Sequence, residues 1–367
     1  MSDINNVDII QKKVTMKEFE LEQVISRAAW LGRDMQAGDE WIYRLSDPEI
    51  AEIDAALRHL QSTGREIPDV GKAHFPLKRF ARTLRLLQTE IENGLGIMLI
   101  RGLPRDRYSA EEMGLIYWGI GAHLGRAVAQ NAQGDVLGHV RDLGRDQYKD
   151  MHARGYQTAS LLPFHNDSCD IVGLCCLETA RNGGLSAVAS SVSVYNALLR
   201  SRPDLVKVLT QPFYADRRGE ESKGQKPYYV TPIFIWHKGR MFNRFNRTFI
   251  DSAQRFNEVP RLTPLQIEAL DAVAELCKDP TFRLDMKLER GDMQFVNNYC
   301  VLHSRTAYED YQEEGRKRHL LRLWLRTPAF EDFPSALRDR YQDMDKWRAN
   351  PRAPSYNFVT MKEVTTH

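Results

Sequence analysis

Residues 161–170 read LLPFHNDSCD and contain a His-x-Asp motif. His165 and Asp167 are two positions apart, so on a β-strand both side chains would project from the same face. An imidazole and a carboxylate suit Fe(II) or Mn(II), and two histidines with one carboxylate leave three metal positions open. The pair alone is weak evidence, because ten histidines in a chain with 49 acidic residues should give roughly one such match by chance. On this pair alone, a surface His–Asp hydrogen bond is favoured.

A second segment, residues 291–326, strengthens the interpretation. GDMQFVNNYCVLHSRTAYEDY places His303 near the end of an apolar strand that begins after the Gly291-Asp292 turn. In GRKRHLLRLWLR, alternation puts one set of side chains on each face of a strand: Arg318, Leu320, Arg322, Trp324 and Arg326 on one, Leu321, Leu323 and Leu325 on the other. An arginine that faces inward needs a carboxylate partner, which a dicarboxylate ligand could supply. An exposed edge strand is the alternative, and it fits Arg326 better than Arg318 or Arg322.

These motifs together resemble the Fe(II)/2-oxoglutarate-dependent dioxygenases, and most closely the taurine dioxygenase and clavaminate synthase-like group. The resemblance rests on the HxD pair, a histidine 138 residues later (303 − 165), an RxxxR pair after it, and the NGGLSAVAS stretch. It covers roughly residues 94–325. It implies a double-stranded β-helix, or jelly roll.

The resemblance also implies roles for individual residues. His165, Asp167 and His303 would ligate iron and form the catalytic centre. Arg318 would bind the distal carboxylate of 2-oxoglutarate, helped by Ser186, for which a turn residue that caps its own backbone is a nearly equal alternative. Arg322 would contact an anionic group of the substrate, or would pair with an acidic side chain such as Asp142 or Asp170. Further candidates for substrate contact, each of which could instead be a solvated or paired surface residue, are Gln130, Asn131 and Arg244.

The implied chemistry uses Fe(II) as cofactor and 2-oxoglutarate as cosubstrate. Oxidative decarboxylation with O2 would release succinate and CO2 while a small polar molecule, such as an amino acid or other carboxylate, is hydroxylated. Asp167 argues against halogenation and leaves desaturation or cyclisation as related alternatives. Two further alternatives remain open: a cupin-like metalloenzyme without 2-oxoglutarate, and a non-catalytic jelly-roll binding protein.

The composition excludes several other classes of protein. The 367 residues carry a formal charge of +2, so nothing favours binding to nucleic acid or to a membrane surface. The opening residues lack the pattern of a secretory signal. Five cysteines, odd in number and without a CxxC pair, indicate reduced core thiols in a cytoplasmic protein, for which a homo-oligomer is compatible with the sequence.

The order of elements predicts a mainly β fold with flanking helices. Residues 1–93 form an N-terminal helical elaboration, 94–330 the double-stranded β-helix core, and 331–367 a C-terminal segment packed on that core. Helices are predicted from the cap at Asp47-Pro48, over 77–91, from Ser109 to about Gly125, and from Thr263-Pro264. The polar segment Tyr214–Tyr229 is long enough for a mobile lid. Isolated histidines are predicted not to bind metal: His139, His152 and His237.

Overall fold

A computed structural model of the chain describes residues 21–146, 149 and 153–349. Within these residues the α-helices are α1 (Gly32–Ala37), α2 (Asp47–Ser62), α3 (Arg79–Asn93), α4 (Ala110–Leu124), α5 (Ser191–Ser201), α6 (Pro203–Leu209), α7 (Arg247–Ala253), α8 (Pro264–Lys278) and α9 (Ser335–Ala349). The strands are β1 (Ile42–Arg44), β2 (Ile97–Arg101), β3 (Arg126–Ala127), β4 (Leu137–Val140), β5 (Leu162–His165), β6 (Ile171–Glu178), β7 (Asn182–Gly183), β8 (Ser186–Ser190), β9 (Phe213–Asp216), β10 (Tyr228–Thr231), β11 (Phe234–His237), β12 (Arg240–Asn243), β13 (Arg283–Met286), β14 (Met293–Asn297), β15 (Val301–Arg305), β16 (Tyr308–Glu309) and β17 (His319–Arg326).

The long helices follow their capping signals. Ser109 and Glu112 form the predicted capping box of α4, and Thr263 caps α8 with Pro264 at its first position. At α2 the prediction was one residue late, because Ser46 is the N-cap and pairs reciprocally with Glu49. Over the described ranges, no helix is both long and apolar enough to cross a membrane.

Two sheets organise the strands. The larger has seven strands in the order β1-β2-β14-β6-β17-β3, with β4 also beside β17. The smaller has the order β13-β8-β15-β5. Short two-stranded pairs join β9 to β10, β11 to β12 and β7 to β16. The pairings are antiparallel except for β1 with β2, so the N-terminal region, predicted to be helical, also supplies an edge strand.

The faces of the larger sheet have different partners. Its outer face packs on α2, α3 and α4 in one apolar cluster that includes Phe80, Ile116, Leu321 and Leu323. Leu320 and Trp324, on the opposite face of β17, belong to a second cluster with residues of the smaller sheet such as Val188. The predicted alternation along this strand is therefore confirmed from residue 320 onward. Arg318 lies just before the strand, which begins at His319.

The single strand predicted before His303 is wrong: the apolar segment forms two strands in different sheets. Met293–Asn297 pairs with β2 and β6, and Val301–Arg305 pairs with β8 and β5. Asn297 makes the break, because its side-chain oxygen accepts the Tyr299 N–H and its carbonyl accepts the Cys300 N–H. The chain thereby crosses from the larger sheet to the smaller one just before His303.

Candidate active site

The three predicted metal ligands lie together. His165, the last residue of β5, is the direct cross-strand partner of His303 on β15, and their rings lie 4.3 Å apart between centroids. Asp167 lies beyond the end of β5, so the prediction that it shares a strand with His165 is wrong. Its carboxylate nevertheless faces both imidazoles, with Oδ1 3.9 Å from His165 Nε2 and Oδ2 3.8 Å from His303 Nε2. One ligand atom from each residue lies within 4.8 Å of the others.

Hydrogen bonds to the backbone hold the loop that carries Asp167. The Asp167 N–H donates to Asn298 Oδ1 (3.1 Å), which ties the loop to the turn before β15. Arg244 Nη1 donates to the carbonyls of Asn166 (2.9 Å) and Asp167 (2.6 Å). Arg244 Nη2 donates to Ser168 Oγ (2.6 Å). Arg244, predicted to contact substrate, thus positions the loop of the metal ligand.

The charge states of the three residues suit a divalent metal. Burial lowers the pKa of His165, and burial together with the neighbouring His165 lowers the pKa of His303 to about 3, so both imidazoles are neutral ligands. Burial alone would raise the pKa of Asp167, but Arg322 and the two histidines outweigh it and lower the pKa to about 2. His165 Nδ1 lies 2.8 Å from the Pro163 carbonyl, which fixes the proton there and leaves Nε2 for a metal.

A cavity between the two sheets extends from the metal ligands. This inner cavity is lined from the larger sheet by Val172 and Gln294, from the smaller sheet by Ser186 and Arg305, and by Arg318. Ser186 is 5% exposed and is the cross-strand partner of Arg305. The structure thus brings the two residues predicted to bind 2-oxoglutarate, Arg318 and Ser186, to the same cavity.

Arg318 is buried and forms no ion pair with any residue that the structure describes. It is 3% exposed, and its Nη1 makes no hydrogen bond with any described residue. Gly184 makes room for it: a Cβ there would lie 3.0 Å from Arg318 Nε, and the glycine has a φ of +66°. An unpaired buried guanidinium is costly, so this end of the cavity fits the distal carboxylate of 2-oxoglutarate.

A second cavity opens on the other side of the metal ligands. This outer cavity shares Tyr156, His165, Asp167 and Arg322 with the inner one. Its lining carries two carboxylates, Asp167 and Glu220, against six arginines: Arg154, Arg218, Arg244, Arg247, Arg322 and Arg340. The outer cavity is therefore rich in arginine beside the predicted metal ligands, although Arg247 also pairs with Asp251 and Asp271, and Arg340 with Asp343.

Arg322 lies where the two cavities meet. Its Nε donates to Gln130 Oε1 (2.7 Å), and its Cζ lies 4.4 Å from the ring centroid of Tyr156 and 5.0 Å from that of Trp324. Its nearest carboxylate is Asp167, with Nη1 3.8 Å from Oδ2. The acidic partners considered from the sequence pair elsewhere: Asp142 accepts the Gly144 N–H, and Asp170 accepts the Thr327 N–H.

The remaining sequence candidates have other contacts. Gln130 lines the outer cavity, but its amide group donates to the carbonyls of Val136 and Arg322. Asn131 holds a turn by accepting the N–H groups of Gln133 and Asp135, and it is not among the residues that line either cavity. The predicted contact of Asn131 with substrate thus has no support in the structure.

The isolated histidines that the structure describes contact other side chains, and the cysteines are buried. His139 contacts the ring of His319, His237 lies 2.9 Å from the Asp332 carboxylate, and His152 lies outside the described residues. Among described residues, only His165, Asp167 and His303 form a group that could hold a metal. All five cysteines are free and buried.

The proposed lid segment is a hairpin connection over the outer cavity. Strands β9 and β10 pair antiparallel, and residues 217–227 connect them. Arg218 and Glu220 of this connection line the outer cavity, while Arg217 forms ion pairs with Asp339 and Asp343 of α9. Whether the segment moves stays a prediction.

The sequence analysis missed several charged groups that line the cavities, among them Arg305, Glu220 and Arg340. Arg305 follows His303 by two positions on the same strand, so strand alternation could have placed it beside the metal site. Glu220 and Arg340 come from the β9–β10 connection and from α9, and no local pattern links those segments to the HxD motif.

The chain belongs to the family described as "Taurine catabolism dioxygenase TauD, TfdA family", whose model matches residues 58–324. It is 35% identical over 337 residues to FR-33289 synthase from Streptomyces rubellomurinus, covering 90% of this chain and 95% of that protein. The fold is similar to a solved asparagine oxygenase (TM-score 0.63, 17% identity, 78% of this chain and 94% of that one). It is also similar to the non-heme iron oxygenase OrfP (TM-score 0.59, 16% identity, 80% and 98%).

The family assignment confirms the resemblance read from the motifs. The protein is an Fe(II)/2-oxoglutarate-dependent dioxygenase, with Fe(II) as cofactor and 2-oxoglutarate as cosubstrate. The candidate triad fits the iron, and Arg318, whose Nη1 has no hydrogen-bond partner among the described residues, fits the cosubstrate. A non-catalytic binding protein and a cupin-like enzyme without 2-oxoglutarate are therefore wrong as alternatives.

Proposed function

We propose that this dioxygenase hydroxylates a small anionic molecule, an amino acid or a related carboxylate, with release of succinate and CO2. When bound, the iron and 2-oxoglutarate supply the oxidising chemistry together with O2. The chain supplies two separate cavities that meet at the metal ligands. The inner one would hold the cosubstrate and the outer one the substrate.

Arg322 is the observation that carries this proposal. Among the described residues, the carboxylate in ion-pair distance of Arg322 is that of the predicted metal ligand Asp167, and a carboxylate that binds a divalent cation has less negative charge to offer a neighbour. The two aromatic rings and Gln130 fix the guanidinium at the junction, so little conformational entropy remains to be lost when it binds an anion. The other arginines around the outer cavity would also attract an anionic substrate.

Relatives support an amino-acid substrate without identifying one. The asparagine oxygenase structure holds 3-hydroxyasparagine and succinate, and an OrfP structure holds (3S)-hydroxy-L-Arg and succinate. Glu220 of the outer cavity would give an amino group a carboxylate partner, although Arg154 and Arg340 already lie 3.1 Å and 3.5 Å from it.

We also propose that the two large sheets are the walls of a double-stranded β-helix. Core strands that follow one another in the chain lie in opposite sheets except at β8 and β13, which β9–β12 separate: β5, β8, β13 and β15 belong to the smaller sheet, and β6, β14 and β17 to the larger. Such alternation is typical of a jelly roll. The proposed core spans residues 94–330, flanked by 1–93 and 331–367. Five free, buried cysteines support a cytoplasmic location.

The test is a substrate panel with the Fe(II)-loaded enzyme, 2-oxoglutarate and O2. It should contain amino acids, sulfonates and other small acids, each beside a neutral amide or ester of the same skeleton. We expect an anionic compound to give succinate and a product with one added oxygen atom in equal amounts, while its neutral counterpart gives only slow, uncoupled succinate. Equal use of the neutral counterparts would contradict the proposal. A product lacking two hydrogens would indicate desaturation or cyclisation instead.

A further inference from the structure

Arg305 is a second buried guanidinium at the closed end of the inner cavity. It is 4% exposed, and its Nη2 donates to the backbone carbonyls of Thr158 (2.8 Å) and Ser160. Its Nε and Nη1 are buried and make no hydrogen bond with any described residue. One nitrogen of the guanidinium, Nη2, is therefore anchored by the protein, and the other two nitrogens retain unused N–H donors.

The guanidinium groups of Arg305 and Arg318 both lie close to the ring of Tyr308. The Cζ of Arg305 is 4.8 Å from the ring centroid of Tyr308, and the Cζ of Arg318 is 5.0 Å from it. No carboxylate of the described residues lies within salt-bridge distance of either guanidinium, although both line the inner cavity. Two cations buried this close together repel each other, so an anion placed between them would be stabilised.

Strand geometry brings a hydroxyl group to the same place. Arg305 and Ser186 are direct partners in the β8–β15 pairing, so their side chains project from the same face of the smaller sheet. Arg318, from the position just before β17 of the larger sheet, lines the same cavity. A carboxylate at this end would find a hydroxyl and two guanidinium groups, which together offer more donors than its two oxygens require.

We propose that Arg305 binds the distal carboxylate of 2-oxoglutarate together with Arg318 and Ser186, and so sets the preference for a dicarboxylate cosubstrate. The backbone carbonyls of Thr158 and Ser160 hold Arg305 in position before the cosubstrate arrives. This inference depends on 2-oxoglutarate as cosubstrate and is independent of the substrate proposed above.

The experiment compares two ligands that differ only at the distal end. Binding of 2-oxoglutarate and of 2-oxopentanoate, which has a methyl group in place of the distal carboxylate, is measured by calorimetry on the Mn(II)-loaded enzyme without O2. The dissociation constant of 2-oxopentanoate divided by that of 2-oxoglutarate measures how strongly the enzyme prefers the ligand with the distal carboxylate. In Arg305→Gln we expect this ratio to fall at least about tenfold. Affinity for 2-oxopentanoate should stay close to that of the wild type, because it makes no use of Arg305.

The controls separate binding from folding and from the substrate proposal. Arg316→Gln removes an exposed arginine that stacks on Tyr311, and it should leave the ratio unchanged. If Arg305→Gln does not fold, Arg305→Lys replaces it in the experiment. This variant keeps the charge but loses the planar guanidinium donors, so it should also show a lower ratio. An unchanged ratio in the folded variant, or an equal loss of affinity for both ligands, overturns the inference. None of these measurements involves the substrate, so failure of the proposed substrate class would leave them unaffected.

Discussion

At the scale of single residues, the Asp167 carboxylate organises the site because several groups depend on it at once. Its Oδ2 accepts the indole N–H of Trp324 (2.9 Å) and lies near His303 and Arg322, while its Oδ1 faces His165. Trp324 and Arg322 come from the same strand face, two residues apart. The strand that lines the outer cavity therefore also orients the metal ligand.

Arg322→Ala should separate substrate binding from cosubstrate turnover. Removing the guanidinium from the junction deletes the proposed partner of the anionic group, so we expect KM for the substrate to rise at least about tenfold. Uncoupled turnover of 2-oxoglutarate should persist, because Arg318 and Ser186 of the inner cavity are intact. Steady-state kinetics with succinate and product measured separately checks both expectations.

Arg326→Ala is the matched control for that experiment. Arg326 lies four residues further along the same strand and pairs with Asp345 and with the Tyr341 carbonyl, away from both cavities. Its loss should leave KM for the substrate unchanged. If Arg322→Ala binds substrate as the wild type does, Arg322 serves only to hold Asp167 and Gln130, and the anionic-substrate proposal loses its main support.

At the scale of elements, α9 is held to the core by buried polar groups. Asp170, just before β6, accepts hydrogen bonds from the Thr327 N–H (2.8 Å), the Tyr299 hydroxyl (2.7 Å) and the Tyr341 hydroxyl of α9 (3.2 Å). Arg340 of the same helix contacts Ser168 in the loop that carries Asp167 and lines the outer cavity. The helix thus closes one wall of the site.

Asp170 should make the stability of the protein depend on pH. Burial raises the pKa of Asp170 to about 7, whereas an unfolded aspartate titrates near about 3.9. The folded state therefore binds the proton more tightly than the unfolded state. The resulting contribution to the free energy of unfolding is complete below about pH 4 and is lost as pH rises through 7. Asp170→Asn has no group that titrates at this position. Between about pH 5 and about pH 8 the wild type should therefore lose on the order of 2 kcal/mol of unfolding free energy relative to the variant. Urea unfolding at both pH values measures the shift, and a pH-independent difference between the two proteins would contradict it.

At the scale of the whole molecule, the sequence predicted those features of the structure that depend on residues close together in the chain. Capping residues and apolar periodicity located α4 and α8, and the family resemblance predicted as metal ligands three residues that the structure brings together, His165, Asp167 and His303. The break at Asn297–Cys300 was missed because an apolar run gives no sign of the point at which a strand changes sheets. The contributions of Glu220 and Arg340 were missed for a related reason, since they depend on tertiary packing between segments more than 100 residues apart (|i−j| = 120 and 172).

Metal and cosubstrate should stabilise the molecule as a whole, because their predicted ligands connect elements that are distant in the chain. His165 and His303 come from two strands of the smaller sheet, Asp167 from the loop after β5, and Arg318 from the start of β17 in the larger sheet. A ligand that binds only the folded state stabilises it by about 2.7 kcal/mol at a hundred times its dissociation constant. We therefore expect Mn(II) to raise the unfolding temperature without O2, and 2-oxoglutarate to raise it further.

His303→Ala should lose most of both increments, because the remaining two ligands hold a divalent ion poorly and the cosubstrate then lacks its metal. His237→Ala, which removes a histidine paired with Asp332 outside the site, should keep both increments. If His303→Ala retains the full metal-dependent increment, the metal binds elsewhere and the assignment of the triad is wrong.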